Sequence, residues 1–258
     1  MIRSASVDGG HPEMDALIRR ATVNYGHFTS MQVRNHAVKG FDLHMARLYA
    51  ASKELHDADL DTQRVRAYLK AGLAGAGDAS ARIDVWPAAS PESAEHIMVT
   101  VSDPEPAPAG PLALKSVSYQ RPVAQIKHAG SFAQIFHLKQ VQKAGFDDAL
   151  LLGNHGELSE TAIANIGFIQ GGTIIWPEAE ALCGVTWQLL NQISTAQGIP
   201  ASLCPIHLQE LSKFDAAFTA SSRGITSVGR IDDVEFPVNN EMLEKLTEWY
   251  ESDPAQLI

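Results

Sequence analysis

Residues 145–169, GFDDALLLGNHGELSETAIANIGFI, decide how the chain folds. Asp148–Leu152 is an apolar run of strand length, too short for a buried helix. The Asn154–Gly156 step is a turn, and Glu157–Ala162 starts a second strand. Directly after, IGFIQGGTIIWP predicts a hairpin reversing at Gly171–Gly172. Upstream, LALKSVSYQ predicts a strand and SFAQIFHLKQVQKAG a helix closed by Gly145. Downstream, GVTWQLLNQISTAQGI predicts a helix, AAFTASSRGITSVGRID a pair of strands, and NNEMLEKLTEWYES a last helix. Strands come in blocks with helices interspersed, without strict βαβ alternation, so the fold class is α+β.

Residues 102–111, SDPEPAPAGP, form the clearest seam, because four prolines among small residues support neither a helix nor a central strand. The expected organisation is a small α/β N-terminal domain over 1–103, a linker over 104–111 and a larger strand-rich domain over 112–258. Within the first part, GHFTSMQVRN alternates as a strand does, and AVKGFDL follows a short turn. DLHMARLYAASKELH carries helical spacing with Asp42 as the expected N-cap. TQRVRAYLKAGLAGAG predicts a second helix, and ARIDVWPA with HIMVTVS a strand pair.

The chain of 258 residues has a net charge of −10 and no Lys/Arg-rich run, which argues against nucleic acid or an anionic membrane surface as its main partner. No apolar run reaches membrane-span or signal-peptide length. Cys183 and Cys204 are the only cysteines and lie in no ligand spacing, so a reducing, cytoplasmic setting is expected. The ten histidines are scattered, and no metal site is expected from their spacing. Dinucleotide, Walker, zinc-protease and serine-hydrolase motifs are absent. What remains is a lysine, a glutamate, an arginine and turns rich in Ser, Thr and Gly. That inventory suits pyridoxal phosphate, which needs an amine for a Schiff base, a partner for its pyridine nitrogen and donors for its phosphate.

Four segments occur in order: FDLHMARLYAAS, GFDDALLLGNHGELSETAIANIGFI, WPEAEALCGVTWQLL and DAAFTASSRGITSV. Together they resemble the class IV (fold type IV) pyridoxal phosphate enzymes, which include branched-chain and D-amino acid aminotransferases and aminodeoxychorismate lyase. The resemblance runs from about Tyr25 to Val228 and implies the two-domain fold of those enzymes, with pyridoxal 5'-phosphate as cofactor. It places Lys127 at the Schiff-base lysine, leaving Lys139 a helix-surface charge and Lys115 a strand residue. It matches Glu160 to the glutamate at the pyridine nitrogen, with Glu157 a turn residue, and Asn165 to an asparagine that orients the local turn. Arg47 in HMARL matches an arginine on the phosphate, where a planar fork pairs well with phosphate oxygens. CGVTW matches the turn that opens a helix and offers the N–H groups of Val185 and Thr186, with the Thr186 hydroxyl, to the phosphate. Trp187 stands where the family usually has arginine. Ser221 or Ser222 supplies a further hydrogen bond.

On the substrate side the resemblance divides. HFTSMQV and the Lys127–His128 pair are similar to the lyases, whereas AGS after that pair is not, and Gln32 replaces a usual arginine. Tyr25, Thr29, Arg34, Arg82 and His128 are the substrate-side candidates, with Arg34 and Arg82 the nearest cations for a carboxylate. The resemblance implies an aminotransferase acting on amino acids and 2-oxo acids as a homodimer. The alternative is a lyase releasing pyruvate from aminodeoxychorismate, and a non-enzymatic scaffold stands a distant third.

Overall fold

The computed structural model describes residues 1–90 and 94–258. The chain divides into two compact units. The first comprises Met1–Glu105, Ile126–Gly130 and Pro254–Ile258, and the second Pro106–Gln125 and Ser131–Asp253.

In the first unit, strand β1 (Ile2–Val7) leads to helix α1 (Met14–Thr22), neither of which the sequence patterning announces. Strands β2 (His27–Val33) and β3 (Ala37–Val38) follow, then helices α2 (Phe41–His56) and α3 (Thr62–Gly72), then strands β4 (Ala79–Trp86) and β5 (His96–Ser102). The sheet is antiparallel throughout in the order β1-β5-β4-β2. Its strands alternate because one face is buried. Met31, Val33, Ile83, Val85, Ile97, Val99 and Val101 pack there with Leu48 of α2 and Val65 and Leu69 of α3. Helix α2 begins differently from the expected Asp42 cap. Gly40 is the N-cap at φ 62°, a left-handed turn that favours glycine. Asp42 lies inside the first turn, where its Oδ1 accepts from Leu43 N at 2.9 Å.

Two segments that the sequence assigns to the larger domain pack in this first unit. Residues 126–130 run beside β2: Phe28 N donates to Lys127 O at 2.9 Å, and Ala129 N donates to Gly26 O at 2.8 Å. Near the C-terminus, Gln256–Leu257 pairs with β3. Both segments are tied by backbone hydrogen bonds, which carry no side-chain signature in the sequence.

The second unit contains β6 (Leu112–Ser118), α4 (Phe132–Lys143), β7 (Asp148–Leu152), β8 (Leu158–Thr161), β9 (Asn165–Gln170), β10 (Thr173–Pro177), α5 (Val185–Ala196) and β11 (Ala201–Cys204). It continues with β12 (Ala216–Ser221), β13 (Gly224–Ile231), β14 (Val234–Glu235) and α6 (Glu241–Ser252). The strand order is β11-β10-β9-β12-β13-β6-β7-β8, and β8 also pairs β9, closing that part of the sheet into a ring. The unbroken apolar run of β7 has its cause here. Leu150 packs with Leu114, Leu158, Ile166 and Phe168 on one face. Ala149 and Leu151 meet Val141 of α4 on the other. A strand covered on both faces has no polar side to alternate with. The whole is an α+β architecture of two units, and among the described residues no helix is long and apolar enough to cross a membrane.

Candidate active site

Each unit holds some of the residues that the resemblance implies. In the second, Glu160 lies on β8, whose four residues are all buried. Its Oε1 accepts from Arg121 Nε at 2.7 Å, and the two side chains are only 7% and 4% exposed. Arg121 also donates through Nη2 to the carbonyl of Ala124. A carboxylate removed from water this far needs such a partner. Arg121 is not among the residues that the resemblance implies; its sequence signal is a lone arginine in the otherwise uncharged stretch SVSYQRPVAQI.

Glu160 is bonded onward. Its Oε2 accepts from Leu182 N at 3.3 Å, and Leu182 O accepts from Asn165 Nδ2 at 2.8 Å. Glu160 and Asn165 are themselves paired across β8 and β9. Asn165 therefore fixes the loop that enters α5, an orienting role. Gly184, the N-cap of α5, offers no side chain to the helix start. A Cβ there would lie 2.1 Å from Asn165 Oδ1, so the loop passes where only glycine fits. The first N–H groups of α5, from Val185 and Thr186, thus start a twelve-residue helix without a capping side chain, an arrangement suited to an anion.

Thr186 is buried, and its hydroxyl donates to Ser221 O at 2.6 Å. That bond locks the turn after β12 to α5. Ser221 Oγ accepts from Arg223 N at 3.2 Å, so Ser221 is built into the frame; Ser222 sits at the hairpin tip. Trp187 packs edge-on against Trp176 at 6.1 Å, an apolar use of a position where the resemblance implies a cation.

In the first unit, Lys127 is half-buried on the segment beside β2. Its Nζ lies 4.9 Å from the Phe28 ring centre, and the Arg82 guanidinium stacks 3.5 Å from the same ring. Arg82 is aimed by a two-pronged bond to Asp84, Nε and Nη2 each at 2.8 Å. Asp84 is buried and also accepts from Arg20 Nη2 at 2.9 Å. Two cationic side chains thus contact one aromatic ring. On the opposite, buried face of β2, Thr29 and Arg47 meet His44. Arg47 Nη2 donates to Thr29 Oγ1, and Thr29 Oγ1 lies 2.6 Å from His44 Nδ1. Burial first, then the charges of Arg47 and Lys127, hold His44 well below the usual imidazole range, so it accepts at Nδ1 as a neutral ring.

The remaining substrate-side candidates are placed as follows. Arg34 braces the end of β2, donating to Val33 O at 2.9 Å, Gln32 Oε1 at 3.1 Å and Ala79 O at 3.2 Å. Tyr25 is half-exposed, and its hydroxyl donates to Leu55 O at 2.7 Å. His128 bridges by backbone to His27. Lys139 is exposed on α4, and Lys115 pairs with Asp232 at 2.8 Å. Glu157 accepts from His155 N at 2.9 Å within its turn.

The model of the amino-transferase class IV family matches residues 26–231, so the chain belongs to that family. Its members depend on pyridoxal phosphate. A probable branched-chain-amino-acid aminotransferase from Synechocystis is 31% identical over 107 residues, which is 40% of this chain and 35% of that protein. The matched part thus spans about a third of that relative's length. Among solved structures, 4-amino-4-deoxychorismate lyase from Pseudomonas aeruginosa superposes with a TM-score of 0.81 at 24% identity, covering 97% of this chain and 99% of that one. A branched-chain aminotransferase from Thermoproteus uzoniensis gives 0.84 at 20% identity, covering 97% and 94%.

Proposed function

We propose that the chain is a pyridoxal-phosphate-dependent aminotransferase that moves an amino group between an amino acid and a 2-oxo acid. One observation carries this reading. A continuous bonded frame runs from the buried Arg121–Glu160 pair through Leu182 and Asn165 to the uncapped start of α5 and the Thr186–Ser221 bond. A buried carboxylate is the acceptor that a pyridinium nitrogen requires, and an open helix N-terminus is the donor set that a phosphate requires.

When bound, pyridoxal phosphate supplies an electron sink for the pair left by a substrate Cα–H bond. Glu160 would accept a hydrogen bond from the pyridine nitrogen, and Arg121 aims that carboxylate. The N–H groups of Val185 and Thr186, with Ser221 or Ser222, would hold the phosphate, and Arg47 would supply it a cation. Lys127 Nζ would hold the cofactor covalently; once the substrate amine displaced it, the freed amine would take the substrate α-proton and return it at the neighbouring carbon. Arg82, fixed by Asp84 and Phe28, receives a substrate carboxylate.

The second reading is an aminodeoxychorismate lyase, favoured by the HFTSMQV strand and the Lys127–His128 pair. Incubation with an amino-acid panel plus 2-oxoglutarate or pyruvate is expected to yield the matching amino and oxo products. Release of pyruvate and 4-aminobenzoate from aminodeoxychorismate without an acceptor replaces the first reading by the second.

We further propose a cytoplasmic homodimer. The exposed Phe132, Ile135 and Phe136 of α4, with the two phenylalanine rings stacked, support a partner surface there. Light scattering of the wild type and of Phe136→Glu tests it: a dimer weakened by the charge is expected, and a wild-type monomer contradicts it.

A further inference from the structure

Beside these residues, the first unit buries a cluster to which the proposed aminotransfer gives no role, although His27 pairs by backbone with His128 and the Tyr25 ring lies 5.6 Å from that of His56. His27 of β2, His56 at the end of α2 and Glu95 just before β5 each offer a ligand atom, all within 4.8 Å of one another. Among the described residues this is the group of three His, Cys, Asp or Glu side chains so arranged. His27 and Glu95 are 1% and 7% exposed, and the His56 side chain 3%. Each imidazole has one ring nitrogen held. His27 Nε2 lies 2.9 Å from Ser52 Oγ, and His56 Nδ1 is paired with Glu95 Oε1. The other nitrogen of each, His27 Nδ1 and His56 Nε2, is buried without a hydrogen-bond partner. A buried polar nitrogen without a partner is costly, and this cluster holds two of them, on rings whose centres are 5.5 Å apart.

We propose that His27, His56 and Glu95 bind one divalent transition-metal ion of the zinc class, which fastens β2, the C-terminal end of α2 and the segment entering β5. Two imidazoles and one carboxylate form a ligand set known for zinc and its neighbours, whereas magnesium and calcium take oxygen. Ser52 is positioned as an outer partner that fixes the His27 ring, the arrangement that orients metal-bound histidines generally. Metal–ligand bonds of about 2.0–2.2 Å put ligand atoms roughly 3.3–3.6 Å apart, a spacing inside the 4.8 Å that bounds this set. Arg64, whose Nη2 donates to Glu95 O at 3.0 Å, holds the backbone that presents the carboxylate. The three ligands are spread over 69 positions of sequence, which is why histidine spacing gave no expectation of a metal.

The test uses the full chain carrying its cofactor, dialysed against a chelator and titrated with ZnCl2 by calorimetry. One ion per chain is expected. At a hundredfold excess over Kd, the melting temperature should rise by roughly 5–10 °C. His56→Gln and Glu95→Gln each abolish the rise, while His155→Gln, an exposed turn histidine, keeps it. Co2+ bound to the wild type gives visible ligand-field bands, a readout that stands even where a variant misfolds. Absence of zinc binding, absence of the cobalt bands, an equal response to MgCl2, or zinc binding undiminished in both ligand variants overturns the proposal. Cofactor absorbance, read on the same samples, reports separately on the aminotransferase reading.

Discussion

Arg121→Met removes the partner of a buried glutamate while keeping most of the apolar stem. In the wild type, Nε and Oε1 are 2.7 Å apart with both side chains at least nine-tenths covered. The remaining bond to Glu160, from Leu182 N at 3.3 Å, is too long to replace a guanidinium. Breaking one side of a buried pair costs about 3–5 kcal/mol, because the other charge stays uncompensated. For a chain of this size that lowers the melting temperature by roughly 6–20 °C. Urea unfolding at pH 7.5 measures it, alongside the double variant Arg121→Met/Glu160→Gln. The double variant should recover most of the lost stability, since no charge is then buried alone. Its turnover should stay down by on the order of 10²–10³, because the pyridine nitrogen still lacks its carboxylate. A loss below about 1 kcal/mol in Arg121→Met, or a double variant no more stable than the single, refutes the role given to this pair.

Other outcomes follow from single residues. Burial raises Asp148 to about 6, against opposing hydrogen bonds from Thr161 and from the Ala149 and Ala162 backbone. Its folded pKa lies above its unfolded one, so its favourable contribution is complete below about pH 3.8 and lost as pH rises through 6. Asp148→Asn should therefore gain up to about 3 kcal/mol at pH 7–8 and nothing below pH 4, read from urea midpoints across pH. Gly184→Ala drives a methyl onto Asn165 Oδ1, breaks the Asn165–Leu182 bond and disturbs the start of α5. Cofactor affinity should fall about tenfold or more, at about 1–3 kcal/mol for the lost buried bond, measured by fluorescence titration. If Arg82 receives the substrate carboxylate as proposed, Arg82→Ala should raise KM for the amino acid well above its effect on kcat, because that carboxylate is common to substrate and transition state; unchanged KM removes Arg82 from the substrate contact.

Residues whose signal is local were legible in the sequence. The apolar run 148–152, the Gly171–Gly172 hairpin and the amphipathic spacing of α2 and α3 each declare an element without knowledge of its partners. Glu160 and Asn165 were legible only as parts of a family pattern, and their bonding through Leu182 emerges from the fold. Arg121 was missed because its meaning lies in a glutamate 39 positions away. His44 was missed because a buried histidine on a helix resembles core packing until Thr29 and Arg47 close around it. The short segment carrying Lys127 was assigned to the larger domain because the proline-rich seam precedes it in sequence; the backbone bonds to Gly26 and Phe28 place it in the first unit.

Lys127 is the residue proposed to hold the cofactor. Reducing the pyridoxal-phosphate-loaded protein with borohydride and mapping its peptides by mass spectrometry tests that directly. The predicted result is one pyridoxyl group per chain, on the peptide containing Lys127, with no visible cofactor band retained by Lys127→Ala after gel filtration. A pyridoxyl group on Lys115 or Lys139, or on no lysine at all, contradicts it.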